Sequence, residues 1–172
     1  MKRPLVASVV AAGVFAVGGL ALAGTMQFRS HLNTANEIPT PVNVVGTPAG
    51  ELKLKLAPDG QSIRFDLKIT DTITNVLQAH LHLEQNPNHT GGIVVWLYPA
   101  GPPAQLIPGE TDGRLARGVI TPASLVGPLA GQWDAFIAAL QAGTIYSNVH
   151  TQANPAGEIR DNVHLIEGDE ED

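Results

Sequence analysis

Six histidines stand in this chain, and the spacing of three of them is the first sign of chemistry. His80 and His82 lie two residues apart in the alternating segment Asn75 to Leu83. On a strand both rings leave the same face, so one metal ion can take two imidazoles from one strand. His150 lies in the segment Thr144 to Thr151, where Tyr146, Asn148 and His150 share a face opposite Ile145 and Val149. If the two strands are close, three imidazoles converge. Three histidines with an open or carboxylate position suit zinc or copper, the two cofactors this reading allows. Glu158, His89 and Asn148 are the candidates for a fourth ligand or for a supporting hydrogen bond. The same three histidines could instead form a structural network with Asn148, Glu158 or backbone groups. Glu37 and Arg160 form a second polar set. They are expected to make a fold-closing ion pair, because first and last strands often neighbour each other in β proteins.

No catalytic residue is assigned. The chain has no Gly-x-Ser-x-Gly elbow and no phosphate-cradling glycine loop before a helix. Cysteine is absent, which removes thiol nucleophiles and cysteine-based metal sites. Ser147 points to the opposite strand face from His150, so a Ser-His pair fails on geometry. The sequence therefore reads as a non-enzyme, with a metalloenzyme as the third reading behind a binding module and a metal protein.

The elements that must position these residues are mostly strands. Leu52, Leu54 and Leu56 alternate with Glu51, Lys53 and Lys55. The turn Ala57-Pro58-Asp59-Gly60 follows, and Ile63, Phe65, Leu67 and Ile69 alternate again, which predicts a β-hairpin with one buried and one wet face. Phe28 to Leu32 predicts an edge strand, and residues 75–83 a separate strand. Ile93 to Tyr98 is a continuous apolar run, expected as a central strand. Pro99 to Pro108 reads as a connection and Leu115 to Ile120 as a short strand. Phe136, Ile137 and Leu140 form the stripe of one helix over Trp133 to Ala142, with Gly143 suited to its C-terminal cap. Two strands, Thr144 to Thr151 and Gly157 to Leu165, close the chain. The predicted class is all-β: an antiparallel β-sandwich of Greek-key, immunoglobulin-like or superoxide-dismutase-like type with one short helix. A closed barrel is the alternative.

The flanks are of another kind. Lys2 and Arg3 precede the uncharged stretch Leu5 to Ala23, which ends in Ala21-Leu22-Ala23 before Gly24. This predicts a secretory signal peptide over residues 1–23, hence an exported protein, periplasmic or extracellular. The alternative is an uncleaved segment that tethers the chain to a membrane. The domain is expected over residues 24–166 and an acidic tail over residues 167–172. Net charge is −6, and removal of the two leader cations takes it to −8, which argues against a nucleic-acid partner.

Several motifs carry a resemblance. They are Asn36-Glu37-Ile38-Pro39, Ala79-His80-Leu81-His82, Gly91-Gly92-Ile93-Val94-Val95 and Leu125-Val126-Gly127-Pro128-Leu129. The most specific is Tyr146-Ser147-Asn148-Val149-His150-Thr151 followed by Asn154-Pro155-Ala156-Gly157-Glu158-Ile159-Arg160. In this order they resemble the CHRD domain, named after chordin and found in many bacterial exported proteins, from about Met26 to Arg160. Two departures stand out: the segment Leu83 to His89 replaces a short glycine turn, and Asp161-Asn162 replaces Gly-Gln. The resemblance implies a β-sandwich. In chordin such domains belong to a secreted antagonist of growth-factor signalling. The expected function is an exported binding module for a protein or envelope ligand. The alternative is a copper- or zinc-binding protein using His80, His82 and His150.

Overall fold

Alternation of leucine with charge makes the first strands. In the computed structural model, which describes residues 26–85 and 88–166, β1 (Gln27–Asn33) pairs antiparallel with β2 (Ala49–Leu56). Phe28, Leu32, Leu52 and Leu54 point inward and are almost fully buried, while Lys53 and Lys55 face water. β2 then pairs with β3 (Ile63–Leu83) across the expected turn. The leader and the acidic tail lie outside the described residues. No helix among those described is long and apolar enough to cross a membrane.

β3 runs for 21 residues and joins the two strands expected at 63–69 and 75–83. Its polar middle, Asp71 to Asn75, looks like a turn in sequence. The chain passes through it extended, with register slips on both sides and Asn75 at φ 53°. The slip moves Val76 into the core and leaves Leu77 partly exposed. The first half of β3 pairs with β2 and with β5 (Ile107–Ile120). Its second half pairs with β4 (Ile93–Tyr98) and β6 (Ile145–Thr151). β7 (Ile159–Asn162) joins β6 to β1, and β8 (His164–Ile166) extends the β1 edge.

These ladders form one eight-stranded sheet, and β1, β2, β3, β6 and β7 close into a ring. The all-β antiparallel class stands. The strands are not divided into the two separate sheets of the expected sandwich, because the long β3 carries pairing from one end to the other without a break. The closed alternative describes the hydrogen bonding better. β5 is also longer than expected, since residues 107–114 continue the ladder along β3. β4 pairs on one side with β3 only; Val126 N–H caps Val94 from the following loop.

The single α-helix, α1 (Trp133–Gln141), buries Trp133, Phe136 and Leu140 on one stripe. Asp134 in its first turn suits the positive end of the helix dipole. Gly143 follows at φ 69°, the left-handed position that ends a helix without a Cβ penalty. The indole N–H of Trp133 donates to Gly60 O at 2.7 Å, which ties the helix to the β2–β3 turn.

Candidate metal centre

β3 and β6 bring the three histidines together. Antiparallel register sets His82 opposite Tyr146, His80 opposite Asn148 and Gln78 opposite His150. The side chains of His80, His82 and His150 leave the same side of this strand pair. One ring nitrogen from each lies within 4.8 Å of the others. His80 is fully buried, and His82 and His150 are 8% and 6% exposed.

The hydrogen bonds fix the tautomers. His82 Nδ1 lies 3.0 Å from Gly91 O, and His150 Nδ1 lies 3.0 Å from Pro155 O. A carbonyl only accepts, so both Nδ1 atoms carry hydrogen and both Nε2 atoms hold lone pairs. His80 Nδ1 donates to His150 Nε2 at 3.1 Å. This leaves Nε2 of His80 and Nε2 of His82 buried without a partner. Buried polar atoms are almost always satisfied, so two lone pairs in one histidine cluster call for a cation or a proton donor.

The rings are held firmly. Tyr146 stacks on His82 at a centroid distance of 4.7 Å, and Trp96 meets His80 edge-on at 4.3 Å. Arg160 lies over the Tyr146 ring, its guanidinium carbon 3.5 Å from the centroid. Burial, with charge repulsion from His150 and His82, depresses His80 to about 3. Burial depresses His82 and His150 to about 4 each. All three are neutral at pH 7, the state that ligates metal without first losing a proton.

These shifts give a pH dependence with a definite sign. An unfolded imidazole titrates near 6.5, so between that value and about 4 the unfolded chain binds more protons. Stability contributed by the trio is complete above pH 6.5 and is lost as pH falls toward 4. Glu37 opposes this: burial raises it to about 7 from 4.5, so its contribution is lost as pH rises through that window. Three groups outweigh one. Urea unfolding of the metal-free chain is expected to give a stability roughly 2 kcal/mol or more lower at pH 5 than at pH 7. A His150→Gln variant should show a shallower dependence. Equal stability of the parent chain at both pH values would contradict neutral burial of the trio.

The other predicted residues fall elsewhere. Glu158 is buried, but its carboxylate accepts from Thr151 Oγ1 at 2.5 Å and Asn154 Nδ2 at 2.9 Å, inside the 151–158 turn. His89 is exposed and its ring lies 3.4 Å from Glu84. Asn148 is the candidate that shares the inner face. Its Nδ2 donates to Glu37 Oε2 at 2.5 Å, and its Oδ1 is buried without a partner. Of the expected Glu37–Arg160 pair, Arg160 has its contact ion pair with Glu84 at 2.9 Å and donates to His89 O, while Glu37 accepts from Asn148; the Arg160 charge still acts on Glu37 and lowers its pKa against the effect of burial. Glu84 takes Arg160 because the segment after β3 swings it back over the end of β7. β1 and β7 are neighbours as expected, through Asn33 and Arg160. Ser147 points away from the trio and meets Ser30 at 2.5 Å.

Sequence reasoning missed two residues that shape this site. Gly91 presents the carbonyl that orients His82, and Glu84 anchors Arg160. Gly91 had a signal, its place in Gly91-Gly92 before an apolar strand; Glu84 had none.

The fold and this cluster define a small antiparallel β module with an internal histidine site. The family model for the CHRD domain matches residues 28–163, and the chain belongs to that family. No curated protein and no solved structure matches it.

Proposed function

We propose that this chain is an exported, non-enzymatic CHRD-type binding module whose ligand is a copper or zinc ion held by His80, His82 and His150. One observation carries the reading: neutral, buried imidazoles cluster with two Nε2 lone pairs unpartnered. Nδ1–H bonds to backbone carbonyls are the usual device that fixes the tautomer and orientation of a ligating histidine. A tetrahedral site with metal–nitrogen bonds near 2.0–2.1 Å needs nitrogens about 3.3 Å apart. One ring nitrogen from each histidine lies within 4.8 Å of the others, so small ring movements would close the set, with His150 Nε2 exchanging its bond from His80 Nδ1–H for the ion. Zinc and copper fit a set of three imidazoles better than hard cations, which prefer oxygen.

The test is metal content of the chain purified without a histidine tag and exposed to copper and zinc. About one ion per chain is expected, and a His80→Ala/His82→Ala/His150→Ala variant that keeps its far-ultraviolet spectrum should hold none. A folded parent chain that holds no metal would sink the proposal. A second reading, a docking site for a protein or envelope ligand, draws support from one segment. Ile38, Val42 and Val45 are 41%, 62% and 70% exposed between the short 3-10 turn Thr34–Asn36 and β2, apolar side chains left open among the described residues.

A further inference from the structure

The outer face of the sheet carries a feature unrelated to the histidines. A groove of about 580 Å³ runs across β1, β2, β3 and β5. Its lining includes Arg29, Lys53, Lys55, Arg64 and Arg117, with Asp66 the one carboxylate. Half of the ten lysines and arginines in a chain of net charge −6 thus meet in one concave site. A face built only for solubility mixes the signs of its charges.

Register sharpens the point. Arg29 stands directly opposite Lys53, and Lys55 directly opposite Arg64. Like charges directly opposed across strands are destabilising. Glu51 bridges the first pair, at 3.3 Å from Arg29 and 3.2 Å from Lys53. Asp66 is occupied by Arg114, which holds it through Nε and Nη2 at 3.1 and 2.9 Å. Among the described residues Lys55, Arg64 and Arg117 make no ion pair. Among the described residues the fold thus sets Lys55 opposite Arg64 with no carboxylate on either, and Arg117 opposite an Asp66 that Arg114 already holds, around one concavity, an arrangement that an anion would relieve.

We infer that this groove is a binding site for a compact ligand bearing several phosphate or sulfate groups. The volume lies within the range of small-molecule sites. Arg29, Arg64 and Arg117 offer planar forks that match tetrahedral oxyanions, and the lysines add point charge. Phe65 and Ile166 give the groove an apolar border for the body that carries the groups. A free polyphosphate and the paired phosphates of a cardiolipin headgroup share this chemistry.

The experiment titrates the full chain with inorganic tripolyphosphate, and separately with vesicles of phosphatidylcholine containing cardiolipin, at low and high sodium chloride. Calorimetry reads the affinity, and the melting temperature reads relief of the repulsion. Binding to either probe, weakened by salt and accompanied by a rise in melting temperature, is the expected result. The variants Arg64→Gln and Lys68→Gln change net charge equally and both lie on the wet face of β3, but Lys68 does not line the groove. Arg64→Gln should weaken binding at least about five-fold and Lys68→Gln less than about two-fold. Binding to vesicles alone assigns the headgroup as the source, and binding to tripolyphosphate alone assigns a free ligand. Equal effects of the two variants, or no binding to either probe, would overturn the proposal.

Discussion

Replacing Gly91 by alanine is expected to lower the melting temperature by roughly 10 °C and to loosen the histidine site at the same time. A Cβ built on Gly91 runs into the carbonyl of Leu83, at the end of β3. That carbonyl belongs to backbone, so no side-chain rotation clears the way. The strand end at Leu83 and the Gly91-Gly92 pair must separate. Three bonds sit at this junction: Leu83 N–H to Gly92 O at 3.1 Å, His82 Nδ1–H to Gly91 O at 3.0 Å, and Gly91 N–H to Tyr146 Oη at 3.3 Å. Forced overpacking costs about 1–3 kcal/mol, and each lost bond adds about 1 kcal/mol. A total near 3–4 kcal/mol corresponds to the stated fall for a domain of this size. His82 then loses the carbonyl that fixes its tautomer, and loss of such a partner weakens metal binding by about 10–100-fold. Thermal unfolding and metal titration of Gly91→Ala check both halves. A melting temperature within 2 or 3 °C of the parent, roughly 1 kcal/mol, would show that the junction yields without strain.

Arg160→Met should cost a comparable amount for a different reason. The Arg160 side chain is 3% exposed. Its guanidinium pairs with Glu84, donates to His89 O and lies over Tyr146, the ring that stacks on His82. Methionine keeps the length and the apolar contact but no charge. Breaking a buried ion pair costs about 3–5 kcal/mol, and Glu84 reaches solvent enough to place this case near 3. Glu84 retains Asn162 Nδ2 at 3.2 Å, which limits the loss. Hydrogen exchange should rise most at Glu84, Gln85 and His89, because Arg160 holds both Glu84 and His89 O against β7. Arg160→Lys should fall almost as far, since an ammonium cannot fork between a carboxylate and a carbonyl while covering a ring. An Arg160→Lys chain as stable as the parent would refute this role.

The histidine cluster was readable because strand periodicity is local. His80 and His82 share a face by their spacing alone, and His150 sits with Tyr146 and Asn148 for the same reason. What periodicity does not give is which strands pair. The hydrogen-bonded ring depends on β3 passing straight through Asp71 to Asn75, a stretch whose composition resembles a turn. Glu37 and Arg160 illustrate the same limit: both are buried, as a closing pair would be, yet each found a nearer partner across the fold. The cationic groove is the extreme case. Its cationic residues come from four strands between Arg29 and Arg117, and in sequence each is an ordinary wet-face position of an amphipathic strand.

In the proposed site His80, His82 and His150 hold one transition-metal ion. Zinc X-ray absorption spectroscopy of the loaded, tag-free chain tests it most directly, because the signal counts imidazoles around the ion. Three histidine nitrogens at about 2.0–2.1 Å, falling to two in His150→Ala, is the result predicted here. A shell of oxygen with one imidazole or none, unchanged in His150→Ala, would contradict the claim and return the trio to a purely structural role.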